Sequence, residues 1–234
     1  MSITIYWACT EDEWFRAKEP ESVYKNFAEN VKNNGTSMHM CPATRDYMKN
    51  TFSIKSIYDY EFNILKDSGG QVLSNTYDQN FFNKHVTIRS LNDKLFSFSQ
   101  NFIFFTEEKS LLMSASITPY MEDNNITKKC INIPGTIDIG RWFRSLDFAF
   151  FLKNEYDNFK INEEEIFQYI KFHTDEKIIF KQFRANKKIN EYLEDTSNAR
   201  QSRILKPRTL NDYYKTFNNK KNVIKEIKNN LLRG

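Results

Sequence analysis

Three histidines, three cysteines and a scatter of carboxylates are what a reaction centre in this 234-residue sequence would be built from. His173-Thr-Asp175 has the His-x-Asp form of facial-triad iron sites, which need a second histidine far downstream. None follows position 173, and using His39 or His85 would reverse the usual chain order. The pair therefore reads as polar residues in a turn between two strands. His39-Met-Cys41 is a soft-ligand pair without partners at fixed spacing. No metal and no cofactor are expected. Cys41 precedes Pro42 at the mouth of a loop, where a thiol near His39 is either a reactive nucleophile or a small buried apolar group. There is no G-x-S-x-G elbow, and the six glycines form neither a P-loop nor G-x-G-x-x-G. Glu107-Glu108, Glu122-Asp123, Asp138, Asp147 and Glu163–Glu165 would support acid–base or glycosidic chemistry only if two faced each other across strands. Most lie beside turns, where charges are solvated.

The most informative stretch runs from Ile133 to Asp147, IPGTIDIGRWFRSLD. Pro134-Gly135 and Gly140 bracket a short strand. Arg141, Trp142 and Arg144 then gather just before a strongly apolar strand. A planar cation beside an aromatic suits an anionic, sugar or peptide ligand; it equally suits a tryptophan covering a sheet edge with arginines stacked on it. Arg141, Trp142, Arg144 and Cys41 are the candidate ligand-binding residues.

The elements that would position them are mainly strands. Ser2–Cys9 opens as one, and Pro20–Val31 reads as a short helix with Val23, Phe27 and Val31 on one face. Tyr60–Lys66 and Gln71–Asn75 flank Asp67-Ser-Gly-Gly70, a hairpin signal because glycine takes positive φ readily. Runs follow at Val86–Arg89, Leu95–Ser99, Phe102–Thr106, Leu111–Thr118, Lys129–Ile133, Leu146–Leu152, Asn158–Ile161, Ile166–Phe172 and Lys177–Phe183. Phe96 and Phe98 alternate with serines, whereas Phe102–Phe105 is apolar throughout, as in a strand buried on both faces. So many strands without long intervening helices predict an antiparallel sandwich, jelly roll or barrel. The end of the chain differs. Asn186–Arg200 has a thin apolar face, and Thr209 can cap a further helix carrying Leu210, Tyr213, Tyr214, Phe217, Ile224, Ile227 and Leu231, interrupted at Lys220-Lys221.

Charge divides along the same line. Residues 181–234 hold 14 Lys/Arg and 5 Asp/Glu; of the chain's 34 and 30, that leaves an acidic body with 20 and 25. The basic tail invites nucleic acid, with Tyr213, Tyr214 and Phe217 as stacking candidates, yet their place on the apolar stripe favours packing. No run approaches a membrane span. The opening MSITIYWACTEDEW has no basic n-region, so no export signal is expected. The three scattered cysteines then read as reduced thiols. Asn125-Ile-Thr127 matches a glycosylation acceptor but carries no weight without export. The 21 phenylalanines and 12 tyrosines put aromatics at the centre of the core. The Lys/Asn/Ile/Phe vocabulary points to an AT-rich genome.

The order of Met40-Cys41-Pro42, the strands of Phe96–Thr106, Ile133-Pro-Gly with Arg141-Trp142, and Phe148–Leu152 followed by Phe159–Phe172 resembles a family of uncharacterised proteins from tailed phages and marine bacteria. The resemblance covers roughly residues 2–180. It implies a β-sandwich or double-stranded β-helix body and no established activity, so no residue role comes with it. The expectation is a mainly β chain: a sandwich or jelly-roll domain over 1–183 with a short N-terminal helix, and a basic helical extension over 184–234. The expected function is a phage-encoded, non-enzymatic protein of partner binding or assembly, in the host cytoplasm or the virion. It would bind a protein partner or itself, and nucleic acid through its tail. The alternative is an enzyme or ligand-binding protein with a small-molecule pocket inside the β-body.

Overall fold

The computed structural model describes residues 1–10, 14–25, 41–66, 69–115, 125–201 and 209–232. The chain is mainly β, with strands gathered in antiparallel sheets that do not close into a barrel. The largest sheet is built on β7 (Leu95–Thr106). On one side it pairs with β11 (Ser145–Leu152), which carries β9 (Cys130–Asn132) beyond it. On the other, β6 (Val86–Ser90) takes the first half of β7 and β1 (Ser2–Cys9) the second. The alternation of β7 is unbroken: Phe96, Phe98, Phe102 and Phe104 enter the main core, while Ile103 and Phe105 enter a second core on the opposite face. The two runs expected at 95–99 and 102–106 are thus one strand. It bends at Asn101, whose φ is 51°, where β7 spends more residues than β11 does between the Leu146 and Phe148 pairs.

Two smaller sheets face the main core. One has the order β10 (Gly135–Asp138), β8 (Leu112–Ala115), β13 (Ile166–Phe172), β3 (Thr51–Lys55) and β2 (Glu21–Ser22). The other joins β12 (Asn158–Ile161), β4 (Tyr60–Leu65) and β5 (Gln71–Ser74), the hairpin predicted from Gly69-Gly70. Phenylalanine rings fill the space between the layers: Phe62 lies 5.1 Å from Phe96, Phe159 5.3 Å from Phe150, and Phe172 6.3 Å from Phe104. One pairing departs from the antiparallel expectation. β14 (Lys177–Gln182) runs parallel to β1, from Ser2 opposite Lys177 to Trp7 opposite Gln182. Such a pair needs a long crossover, and here most of the chain supplies it.

The helices differ more from the sequence reading. Pro20 does not open a helix: Glu21 and Ser22 pair with β3, and the Glu21 carboxylate meets Lys55 at 2.8 Å. Residues 23–25 are helical, and the rest of the expected helix, with Phe27 and Val31, lies outside the described residues. Three short helices were not predicted: α1 (Pro42–Met48), α2 (Gln79–His85) and α3 (Asn125–Lys129). Helices of five to seven residues are too short for a periodic pattern, although Asp78 caps α2 by accepting from the amides of Asn80 and Phe81. The tail forms α4 (Lys187–Gln201), α5 (Leu210–Thr216) and α6 (Lys220–Asn229). What reads as one interrupted helix from Leu210 is two, because Phe217 takes an extended backbone and turns the chain.

Ile189 and Leu193 of α4 with Val223 and Ile227 of α6 bury themselves against Tyr6, Ala8, Ile103, Phe105, Phe143 and Phe183. This second core explains why Phe102–Phe105 is apolar on both faces. Each large side chain buried there contributes about 1.5–3 kcal/mol. Among the described residues no helix is long and apolar enough to cross a membrane.

Candidate functional site

The Ile133–Asp147 segment forms β10, a tight turn and the start of β11. Asp138 ends β10 almost fully buried, and its carboxylate accepts from Ser110 Oγ at 2.5 Å and from the amides of Leu111 and Gly140 at 3.0 Å. The turn presses against the Glu108–Ser110 backbone. A Cβ at Gly140 would stand 2.5 Å from the Glu108 carbonyl oxygen, so only glycine fits.

Tail residues close over this turn. The Asp138 amide donates to Tyr214 Oη at 2.9 Å, and burial pushes the Tyr214 phenol above its usual range. Arg141 places its guanidinium 4.8 Å from the Tyr214 ring centre and donates to Asn211 Oδ1 at 3.3 Å. Trp142, 3% exposed, stacks on Tyr213. Lys220 donates from Nζ to the carbonyls of Glu108 and Gly140, and burial holds its ammonium below the usual lysine range. Arg141 and Trp142, expected as ligand contacts, thus belong to the clasp between tail and body. The signal for this lay in the apolar stripe of the tail, which named Tyr213 and Tyr214 but not what they would meet.

Arg144 goes elsewhere. Its guanidinium lies 4.8 Å from the Trp142 ring centre, Nε donates to the Ser145 carbonyl, and Nη2 stands 3.9 Å from Asp147. Asp147 also meets Arg89 at 3.6 Å and accepts from Ser99 at 3.1 Å, so two guanidinium groups share one carboxylate. Arg144, Asp147 and the buried Gln168 supply the polar lining of a cleft of about 210 Å³, whose apolar walls include Met113, Ile137, Leu146 and Phe148. Two strand edges open on it. Among the described residues β10 pairs with β8 alone, and β11 pairs over Ser145–Phe148 only with β7. Sequence reading named Asp147 only among scattered carboxylates; it missed Arg89 and Ser99, which reach it from β6 and β7, and Gln168, which β13 brings to the cleft.

Cys41 is not among the residues lining this cleft. It is exposed at the start of α1, where the amides of Thr44 and Ala43 hold its thiol below the usual range. His39 lies outside the described residues, as do Glu122 and Asp123. The His173–Asp175 pair diverges: His173 Nε2 meets Ser114 Oγ at 2.6 Å, while Asp175 pairs with Lys49 at 2.9 Å. His85 is fully buried against the rings of Phe81 and Tyr58. Glu163 pairs with Arg16, Glu164 with Lys18, and Glu165 accepts from the Asn162 amide, so this acidic run splits three ways. Among the described residues no three His, Cys, Asp or Glu converge to hold a metal ion. Compared with known proteins, the chain matches no family model, no curated protein and no solved structure.

Proposed function

We propose that this chain is a non-enzymatic β-sandwich module, jelly-roll-like in its body over 1–183 and extended by the basic helices of 184–234, that binds a protein partner through the cleft beside Arg144. The observation that carries this reading is the meeting of two strand edges, unpaired there among the described residues, over an apolar cleft with a cation at its rim. Open edges accept an extended segment by strand addition, and an adjoining pocket takes one of its side chains. At about 210 Å³ the cleft is smaller than the ~300–1,000 Å³ of small-molecule sites, and it suits one side chain of a partner. An incoming carboxylate would join Asp147 as a further acceptor of the Arg144 guanidinium, whose fork carries several N–H donors.

The ring-filled space between the layers favours this reading over a small-molecule pocket inside the β-body. The resemblance to the tailed-phage family and the AT-rich vocabulary support a phage-encoded protein acting in the host cytoplasm or the virion. Selection of a displayed random peptide library on the full chain tests the reading. We expect enrichment of extended sequences placing a carboxylate beside an apolar residue, with binding lost in Arg144→Ala. Selected peptides that bind Arg144→Ala as well as the parent would overturn it, as would a failure to enrich any sequence.

A further inference from the structure

The tail's apolar stripe and its lysines point in opposite directions. Val223 and Ile227 of α6 are buried on the large sheet, which leaves Lys221, Asn222, Lys225, Lys228 and Asn229 facing outward. Lysines at 221, 225 and 228 lie at i, i+4 and i+7, one line about 10 Å long at 1.5 Å per residue. Lys109 joins Lys220, Lys221 and the asparagines 218, 219 and 222 in an open groove of about 680 Å³. Lys181 approaches the same surface from β14, close enough to act on Glu107.

Glu107 and Glu108 are carboxylates that act on this surface, and Glu108 acts on Lys220. Glu107 already holds Lys228 at 2.8 Å and accepts from the Tyr6 hydroxyl. Lys220 is spent on backbone carbonyls. Lys109, Lys181, Lys221 and Lys225 are exposed, and their side chains carry no ion pair or hydrogen bond among the described residues.

We infer that this lysine–asparagine face binds the phosphate backbone of nucleic acid without reading its sequence. Lysine and asparagine side chains are the donors that contact phosphate and sugar oxygens. The chemistry of the face disfavours the other polyanions. A helix lying in a membrane surface inserts its apolar side, and the apolar side of α6 is committed to the sheet. Protein interfaces are poor in lysine and centred on aromatic or apolar residues, and Lys221–Asn222, Lys225 and Lys228–Asn229 supply none. The tail aromatics are also engaged: Tyr213 on Trp142, Tyr214 by the Asp138 amide, and Phe217 edge-on to Phe105 at 5.9 Å. Base stacking is therefore not available to them, and recognition rests on charge alone.

Removing the tail is not a clean test, because it would uncover Tyr6, Ile103 and Phe105. The test uses the full chain and fluorescence anisotropy with two labelled DNA strands of about 20 nucleotides and unrelated sequence, at about 50 mM salt. We expect equal affinity for both strands, falling steeply with added salt. Lys221→Glu combined with Lys225→Glu should weaken binding by at least about tenfold and flatten the salt dependence. Lys66→Glu combined with Lys160→Glu changes net charge equally, just after β4 and on β12, and should bind like the parent. The inference is overturned if the parent does not bind, if both double variants bind alike, or if one DNA sequence is strongly preferred. Binding to phosphatidylserine vesicles or poly-glutamate in place of DNA would also overturn it.

Discussion

Trp142 and Tyr213 stack with ring centroids 5.3 Å apart and planes 15° from parallel, joining the turn before β11 to the helix that begins at Leu210. Both rings are buried, at 3% and 2% exposure, so the contact works as a core pair and not as a surface platform. Trp142→Ala should cost about 3–5 kcal/mol in urea unfolding. A double-mutant cycle with Tyr213→Ala should show about 0.5–1.5 kcal/mol of coupling beyond buried area. Additive losses would mean the tail docks without help from this stack.

The clasp is half legible in the sequence. The tail's apolar stripe is a local, periodic signal, and it marks Tyr213, Tyr214, Phe217 and Ile227 as residues that pack. The partner surface is not periodic: Phe105, Phe143 and Phe183 come from three distant segments, and only the doubly apolar Phe102–Phe105 run hints at a second buried face. Strands are legible because alternation is local, so Asn158–Ile161 and Ile166–Phe172 fall where expected. The parallel pairing of β14 with β1 is not, since register between strands so far apart in sequence leaves no trace in either. For the site, proximity in sequence misleads: Arg141, Trp142 and Arg144 are near neighbours, yet the turn sends the first two to the tail and the third to the cleft.

Two glycines in that segment have opposite surroundings. At Gly140 an added methyl group meets the Glu108 carbonyl oxygen at 2.5 Å and Ser110 Cα at 3.0 Å, while at Gly135 it meets nothing within 4 Å. Gly140→Ala should therefore destabilise by about 1–3 kcal/mol as the turn is forced off the strand end. Gly135→Ala should change stability by less than about 0.5 kcal/mol. Thermal unfolding of the two variants side by side checks this, and equal losses would mean the close approach at Gly140 is not what holds the turn.

The three cysteines should separate by reactivity. Cys41 is exposed and its thiol is held low by the amides of Thr44 and Ala43, so its thiolate appears at lower pH than in a free peptide. Cys130 is buried and its thiol is pushed up to about 12, and Cys9 is buried with Sγ donating to the Gln100 carbonyl. Iodoacetamide on the folded chain should label Cys41 first, at a rate that rises with pH below 9, and leave the other two until unfolding. Mass spectrometry of the digested protein reads the order. Early labelling at Cys130 would contradict the packing of β9.

Glu107 links the tail to the body electrostatically, and its effect has a definite sign with pH. The Lys228 ammonium and the Tyr6 hydroxyl hold its carboxyl below the usual carboxylate range in the fold. Unfolding returns it to an ordinary value near about 4.3, so the unfolded chain binds the proton more readily. The stabilisation is therefore complete above that value and fades as pH falls through the lower, folded one. Because the Glu107 and Lys228 side chains are 46% and 47% exposed, solvent and salt limit the contribution to about 0.2–1 kcal/mol. Glu107→Gln should then be less stable than the parent at pH 7, and the gap should close on acidification below about pH 4. Added salt at pH 7 should narrow the same gap. Urea midpoints across this pH range measure it, and a gap that widens as the pH drops would show that Glu107 is not paired as the structure has it.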